Sequence, residues 1–155
     1  MIGALDDTQI EQILKTQGVG RIGCHADGRT YVVPIAYVYD GRAIYFQSLD
    51  GLKIRMMREN PFVCFEVDVV YDLANWQSVI ASARFEELSG ETATKGLELV
   101  LRGLMPFITG ETTTPSHGLP GSSHADKLRT EVIVGRLELI EKTGRFEKRS
   151  GTFPE

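Results

Sequence analysis

Along residues 62–71, Val63, Phe65, Val67 and Val69 alternate with Cys64, Glu66 and Asp68. That period of two commits the segment to a strand with one face buried. Two Asp-Gly pairs, Asp27-Gly28 and Asp40-Gly41, separate further runs rich in β-branched and aromatic residues. Such pairs suit hairpin turns, because both central residues must take positive φ. The pattern predicts six strands, at 19–24, 31–39, 43–48, 62–71, 77–88 and 130–141. Neighbours joined by tight turns run antiparallel, and a sheet of this size removes its exposed edges by closing on itself. The expected fold is therefore mainly β: a six-stranded antiparallel β-barrel with peripheral helices.

The helices are marked by their own signals. Asp6 and Gln9 have the spacing of a capping box, and Ile10, Ile13 and Leu14 form one apolar stripe, so a helix is expected to about Thr16. Residues 52–58 are dense in helix formers and stop at Asn60-Pro61, which cannot continue a helix. Residues 90–104 place Ala93, Leu97, Val100, Leu101 and Leu104 at helical spacing. The stretch 105–125, rich in Pro, Gly, Ser and Thr, is expected to be a long irregular segment, a kind usually functional or mobile. One domain is expected over 1–141, followed by a tail, 142–155, that frays or docks on a partner chain.

At 155 residues and a formal net charge of -4, the chain is an ordinary globular one, with no basic cluster interleaved with aromatics. That excludes a nucleic-acid binder, and strand-sized apolar runs exclude a bilayer-spanning helix. The N-terminus shows no secretory pattern, so a cytoplasmic location is expected. Cys24 and Cys64 have neither disulfide-framework nor thiolate-metal spacing.

The stretch that carries chemistry begins where a predicted strand ends at Ser48. A turn containing Gly51 follows, and the next helix opens with Lys53. A hydroxyl, an ammonium and free N–H groups at a helix start together make a phosphate site. The same residues also read as an ordinary strand-to-helix turn with a solvated lysine. His25, at a strand end, and His117 and His124, in the long segment, lack the spacing of a metal set. Arg21 can pair with a carboxylate or face a ligand groove, while Trp76 suits core or interface packing. No Ser-His-Asp or Cys-His constellation can be assembled, so catalysis needs a cofactor.

A wider pattern joins these pieces. Gly20-Arg21-Ile22-Gly23, Val33-Pro34-Ile35-Ala36-Tyr37, Ile44-Tyr45-Phe46-Gln47-Ser48 with Gly51 and Lys53, Asn60-Pro61-Phe62-Val63-Cys64-Phe65-Glu66-Val67 and Trp76-Gln77-Ser78-Val79-Ile80 follow one another in order. Together they resemble the pyridoxamine 5'-phosphate oxidase-like family, and within it the nitroimidazole-resistance-type flavoproteins. The resemblance covers residues 5–88 well and the remainder loosely.

It implies a split β-barrel holding FMN in a groove at the interface of a homodimer. By the same resemblance, Val33, Pro34, Ile35 and Ala36 would run beside the flavin ring. Phe46 and Gln47 would line the ring and ribityl chain, and Ser48 and Lys53 would hold the phosphate. Ser78 would reach the flavin from a neighbouring strand, and Trp76 would contribute to the same interface. Three departures matter. Leu52 stands where an Arg commonly precedes the phosphate Lys, and Ala83 where a Gly is usual. The Trp and Arg residues that grip pyridoxal phosphate have no match in 142–155, which argues against vitamin B6 oxidation. The activity implied is an FMN-dependent oxidoreductase that uses a reduced nucleotide on a small molecule. A flavin sensor without turnover, or a barrel holding haem through His117 or His124 or holding a deazaflavin, are the alternatives.

Overall fold

The computed structural model describes residues 1–107 and 132–149. Its elements are β1 (Ile2–Ala4), α1 (Asp7–Thr16), β2 (Val19–Ala26), β3 (Arg29–Ala36), β4 (Val38–Tyr39), β5 (Ala43–Leu49), α2 (Leu52–Glu59), β6 (Phe62–Asp72), β7 (Asn75–Glu87), α3 (Gly90–Leu104) and β8 (Val132–Lys148), with a single 3-10 turn at Met105–Phe107. No helix among the described residues is long and apolar enough to cross a membrane. Asp27 and Gly28 take φ of 51° and 71°, so β2 and β3 are joined by the two-residue turn that such a pair favours. At Asp40-Gly41 only the glycine has positive φ, 98°. There the Asp40 carboxylate accepts from the N–H groups of Arg42 and Ala43, and this closes the turn into β5.

All ladders are antiparallel, and the strand order is β3-β2-β6-β7-β8-β5-β4, with β1 pairing to a further stretch of β8. The sheet thus has eight strands and is not closed, where six strands in a closed sheet are expected from the sequence. β1 and β4, at three and two residues, are too short to show a period of two. The predicted strand 31–39 is interrupted at Tyr37, whose N–H donates to Gly18 and whose hydroxyl donates to the Leu14 carbonyl at 2.9 Å. Burial pushes the Tyr37 phenol well above its ordinary pKa. β3 ends the sheet, and its Pro34, which has no N–H to give a ladder, suits an edge strand.

The last strand also departs from expectation. It continues past residue 141 to Lys148, so the first half of the predicted tail belongs to the sheet. Backbone pairing fixes it without apolar periodicity: Asn75 to Ser82 of β7 pair with Lys148 back to Glu141, and β1 pairs with Arg145 to Glu147. Residues 150–155 and the expected irregular segment beyond Phe107, with its His117 and His124, lie outside the described residues.

The core fills the concave side of the sheet. Phe65 is fully buried and meets the Tyr37 ring edge-on, with centroids 5.0 Å apart and planes at 76°. Ile10, Ile13 and Leu14 of α1 and Ile54, Met56 and Met57 of α2 cap the same cluster. The capping box at the start of α1 is complete: Gln9 N–H donates to Asp6 at 2.8 Å, and Asp6 N–H donates to the Gln9 side chain at 2.9 Å. Replacing Asp6 by Ala is expected to cost about 1 kcal/mol in urea unfolding. An unchanged midpoint would show that packing alone holds the helix.

Arg58 straps α2 to β7. Its Nε donates to Glu87 at 2.7 Å, and its Nη1 donates to Asp50 at 3.2 Å. The hydrogen bond from Arg58 holds the Glu87 carboxyl below its ordinary value. A depressed carboxylate stabilises the fold above its unfolded pKa and loses that contribution as pH falls through the folded one. Arg58→Ala is therefore expected to make stability less steep with pH below the ordinary carboxylate range. Parallel wild-type and variant melting curves from pH 6 to pH 3 would contradict this.

Candidate functional site

The opening between the two ends of the sheet forms a groove of about 530 Å³. One wall is β3, from Tyr31 to Ala36, and the other is the end of β5 with the start of α2. No ladder joins β3 to β5 among the described residues, so backbone and side chains of both face the groove. Its size suits a cofactor-sized ligand.

Seven of the ten residues singled out in the sequence line this groove: Val33, Pro34, Ile35 and Ala36 on one side, and Gln47, Ser48 and Lys53 on the other. Sequence reasoning missed Tyr31, Leu49 and Val132. Tyr31 could have been found from the period of two that places it on the face of Val33 and Ile35.

The other three lie elsewhere. Phe46 is fully buried, in tilted contact with Phe85. Successive strand residues face opposite sides, so its side chain points into the core while that of Gln47 meets the groove. Ser78 and Trp76 sit on β7, remote in the strand order from both groove walls. Ser78 donates to Glu66 at 3.4 Å, and the Trp76 indole N–H donates to Glu147 at 3.0 Å.

Polar groups in the groove are left wanting partners. Among the described residues, Gln47 Oε1 is buried and accepts no hydrogen bond. Such an atom costs free energy unless a donor reaches it. Lys53 makes no ion pair among the described residues, and burial pulls its ammonium below the ordinary lysine value. Gly51 gives α2 no side-chain cap, so the first-turn N–H groups open toward the same place. Ser48 donates to the Leu49 carbonyl at 2.7 Å and keeps its lone pairs as acceptors. A desolvated cation and uncapped helix N–H groups together fit a ligand that has an anionic end.

On the convex side of the sheet, Arg21 Nη1 donates to Glu66 and to Asp68, each at 3.3 Å. Burial, with the neighbouring Asp68 charge, raises the Glu66 carboxyl above its ordinary pKa, against the pull of Arg21. Around this cluster Val32, Phe62, Ile80 and Ile140 stand exposed among the described residues. His25 Nδ1 lies 3.0 Å from the Thr30 hydroxyl. Cys24 is buried, and Cys64 is exposed on this same face.

Comparison with known proteins agrees with this architecture. An uncharacterized protein of Rhizobium meliloti is 32% identical over 88 residues, covering 57% of this chain and 56% of that protein. The aligned part thus spans about half the length of that relative. A crystal structure of an FAD-binding protein from Mesorhizobium loti superposes with a TM-score of 0.75 at 28% identity, over 96% of this chain and 99% of that one. A candidate 5-nitroimidazole antibiotic resistance protein from Bacteroides thetaiotaomicron shares the fold, with a TM-score of 0.71 at 21% identity, over 94% of this chain and 87% of that one. The family model described as pyridoxamine 5'-phosphate oxidase matches residues 6–144, most of the chain. The chain belongs to the pyridoxamine 5'-phosphate oxidase family.

Proposed function

We propose that the groove between β3 and β5 holds FMN, and that the protein is a flavin-dependent oxidoreductase acting on a small molecule with a reduced nucleotide as electron donor. The observation that carries this reading is Lys53, desolvated and without an ion-pair partner among the described residues, beside Ser48 and the start of α2 that no side chain caps, in one groove. In it, Lys53, Ser48 and the N–H groups opening α2 bind the terminal phosphate. Gln47 lies along the ribityl chain, and Val33 to Ala36 lie along the ring. A bound flavin supplies the hydride and electron chemistry that no side chain here can perform. The FAD-binding relative supports a flavin. FMN rather than FAD is the cofactor that the sequence resemblance implies.

A homodimer completes the site in this reading. Trp76 and Ser78, on the face of the sheet carrying the exposed Val32, Phe62, Ile80 and Ile140, serve the groove of a second copy rather than their own. An uncovered apolar field of that kind favours a partner surface. The absence of Arg at Leu52 removes one charge-assisted contact, and this puts more of the phosphate affinity on Lys53.

The test is the absorption spectrum of freshly purified protein with mass analysis of the released chromophore. Flavin bands near ~450 nm and a mass of FMN support the proposal. Released FAD changes the cofactor, a Soret band replaces flavin with haem, and a colourless protein that binds no added flavin overturns the reading. Reduction by nicotinamide nucleotide under anaerobic conditions separates an oxidoreductase from a flavin sensor. Sizing the loaded protein checks the dimer, which a flavin-bound monomer would refute.

A further inference from the structure

A second cleft, of about 510 Å³, opens beside the groove, and Ala36 belongs to the walls of both. Its apolar part is built by close backbone packing. Gly103, where a Cβ would come within 2.4 Å of Val38, lets the end of α3 press onto β4. That contact carries Leu104 and Phe107 to the mouth of β2. The Phe107 ring lies flat against Gly18, whose added Cβ would stand 3.2 Å from three ring atoms. The polar part is the pair Arg21 and Asp68, 3.3 Å apart and each partly exposed.

We propose that this cleft is the subsite for the nicotinamide ring of the electron donor, with Arg21 and Asp68 reading its carboxamide. The inference rests on the flavin reading above and extends it to a second ligand. A planar ring placed between Phe107 and Ala36 lies next to whatever occupies the groove along Val33 to Ala36. Recognition follows from donor and acceptor counting. Among the described residues, Arg21 uses only Nη1, toward Glu66 and Asp68, so Nε and Nη2 are free to donate to a carbonyl oxygen. Asp68, a carboxylate facing the same cleft, accepts from an NH₂ group. A primary carboxamide presents that acceptor and that donor side by side. A carboxylate in its place meets Asp68 with like charge. Glu66, on the other side of Arg21, belongs to the apolar face of the sheet rather than to this cleft, so it fixes the guanidinium without competing for the ligand.

The experiment titrates flavin-loaded protein with two oxidised probes, nicotinamide mononucleotide and nicotinic acid mononucleotide, and reads binding by calorimetry, so no turnover is needed. Wild type is expected to prefer the amide by roughly tenfold or more, as hydrogen bonds to charged groups imply. Asp68→Asn, close in size, is expected to remove or reverse that preference, because its NH₂ can donate to the acid. Phe107→Ala is expected to weaken both probes alike. Equal affinity of wild type for the two probes, or a preference that survives Asp68→Asn, overturns the inference. Flavin content separates this from failure of the earlier reading. Neither Asp68 nor Phe107 lines the groove, so both variants are expected to retain flavin. A wild-type protein that holds no flavin overturns the function proposed above, and this inference with it.

Discussion

Lys53→Ala is expected to weaken flavin binding by roughly ten- to a hundredfold, the cost of losing a charge-assisted bond to phosphate in a partly desolvated site. The surroundings of the lysine before any ligand arrives set the size of the effect. It lines the groove, it has no carboxylate partner among the described residues, and burial already disfavours its charge. A bound phosphate reverses that penalty, so the ammonium gains more here than a solvated one would. The same logic sets a pH dependence. The lysine loses its charge somewhat below the ordinary value of 10.5, and affinity for the phosphate is expected to fall in that alkaline range. Lys53→Arg is expected to keep much of the affinity and to move the alkaline fall upward, because guanidinium stays charged. Fluorescence quenching of FMN titrated into apo protein measures both effects. An alanine variant that binds as wild type would move the phosphate away from α2.

Phe65→Ala is expected to destabilise the fold by about 3 to 5 kcal/mol, enough to consume much of the stability of a domain this size. Phe65 is fully buried, packs edge-on against Tyr37, and lies so close to Gly20 that a Cβ there would stand 2.4 Å from its ring. The tight approach of β2 leaves little freedom for the backbone to collapse into the hole. Tyr37, in turn, holds the break between β3 and β4 through Gly18 and Leu14. Loss of Phe65 is thus expected to loosen the β3 wall of the groove as well as the core. Urea unfolding followed by tryptophan fluorescence reads the first effect, and flavin affinity below the transition reads the second. A variant within 1 kcal/mol of wild type would mean that the ring contributes little beyond area.

How far the sequence could be read depended on the length over which a signal repeats. The alternation around Phe65, the Asp6 and Gln9 cap and the Asp27-Gly28 turn are local and complete, and the structure has each of them. β1 is held by partners distant in sequence, Arg145 to Glu147, and β4 is two residues long and paired with Ile44 and Tyr45 across the Asp40-Gly41 turn, so neither carries a period of its own. The end of β8 has the same character, since mixed charges hide a strand whose order comes from the ladder to β7. In the site, the clustering of Gln47, Ser48 and Lys53 with Val33 to Ala36 followed from the family pattern. The inward turn of Phe46 followed from strand alternation that the pattern does not weigh. Arg21 was open between a carboxylate and a ligand groove, and Glu66 and Asp68 were expected on one strand face. The structure brings all three together, and only the pairing of Arg21 with Glu66 across β2 and β6 could show it.

The position of β8 has a consequence for how the protein is made. Val132 to Glu138 pair with β5, and Gly135 to Lys148 pair with β7, so this one strand joins β3-β2-β6-β7 to β5-β4. It is also synthesised after the other seven. A ribosome-bound chain that has reached α3 therefore holds two half-sheets whose inner edges, β7 and β5, both await the same partner. Those edges are the surfaces most prone to pair with the wrong chain. Formation of the groove, whose walls belong to different halves, has to wait until β8 has left the ribosome exit tunnel.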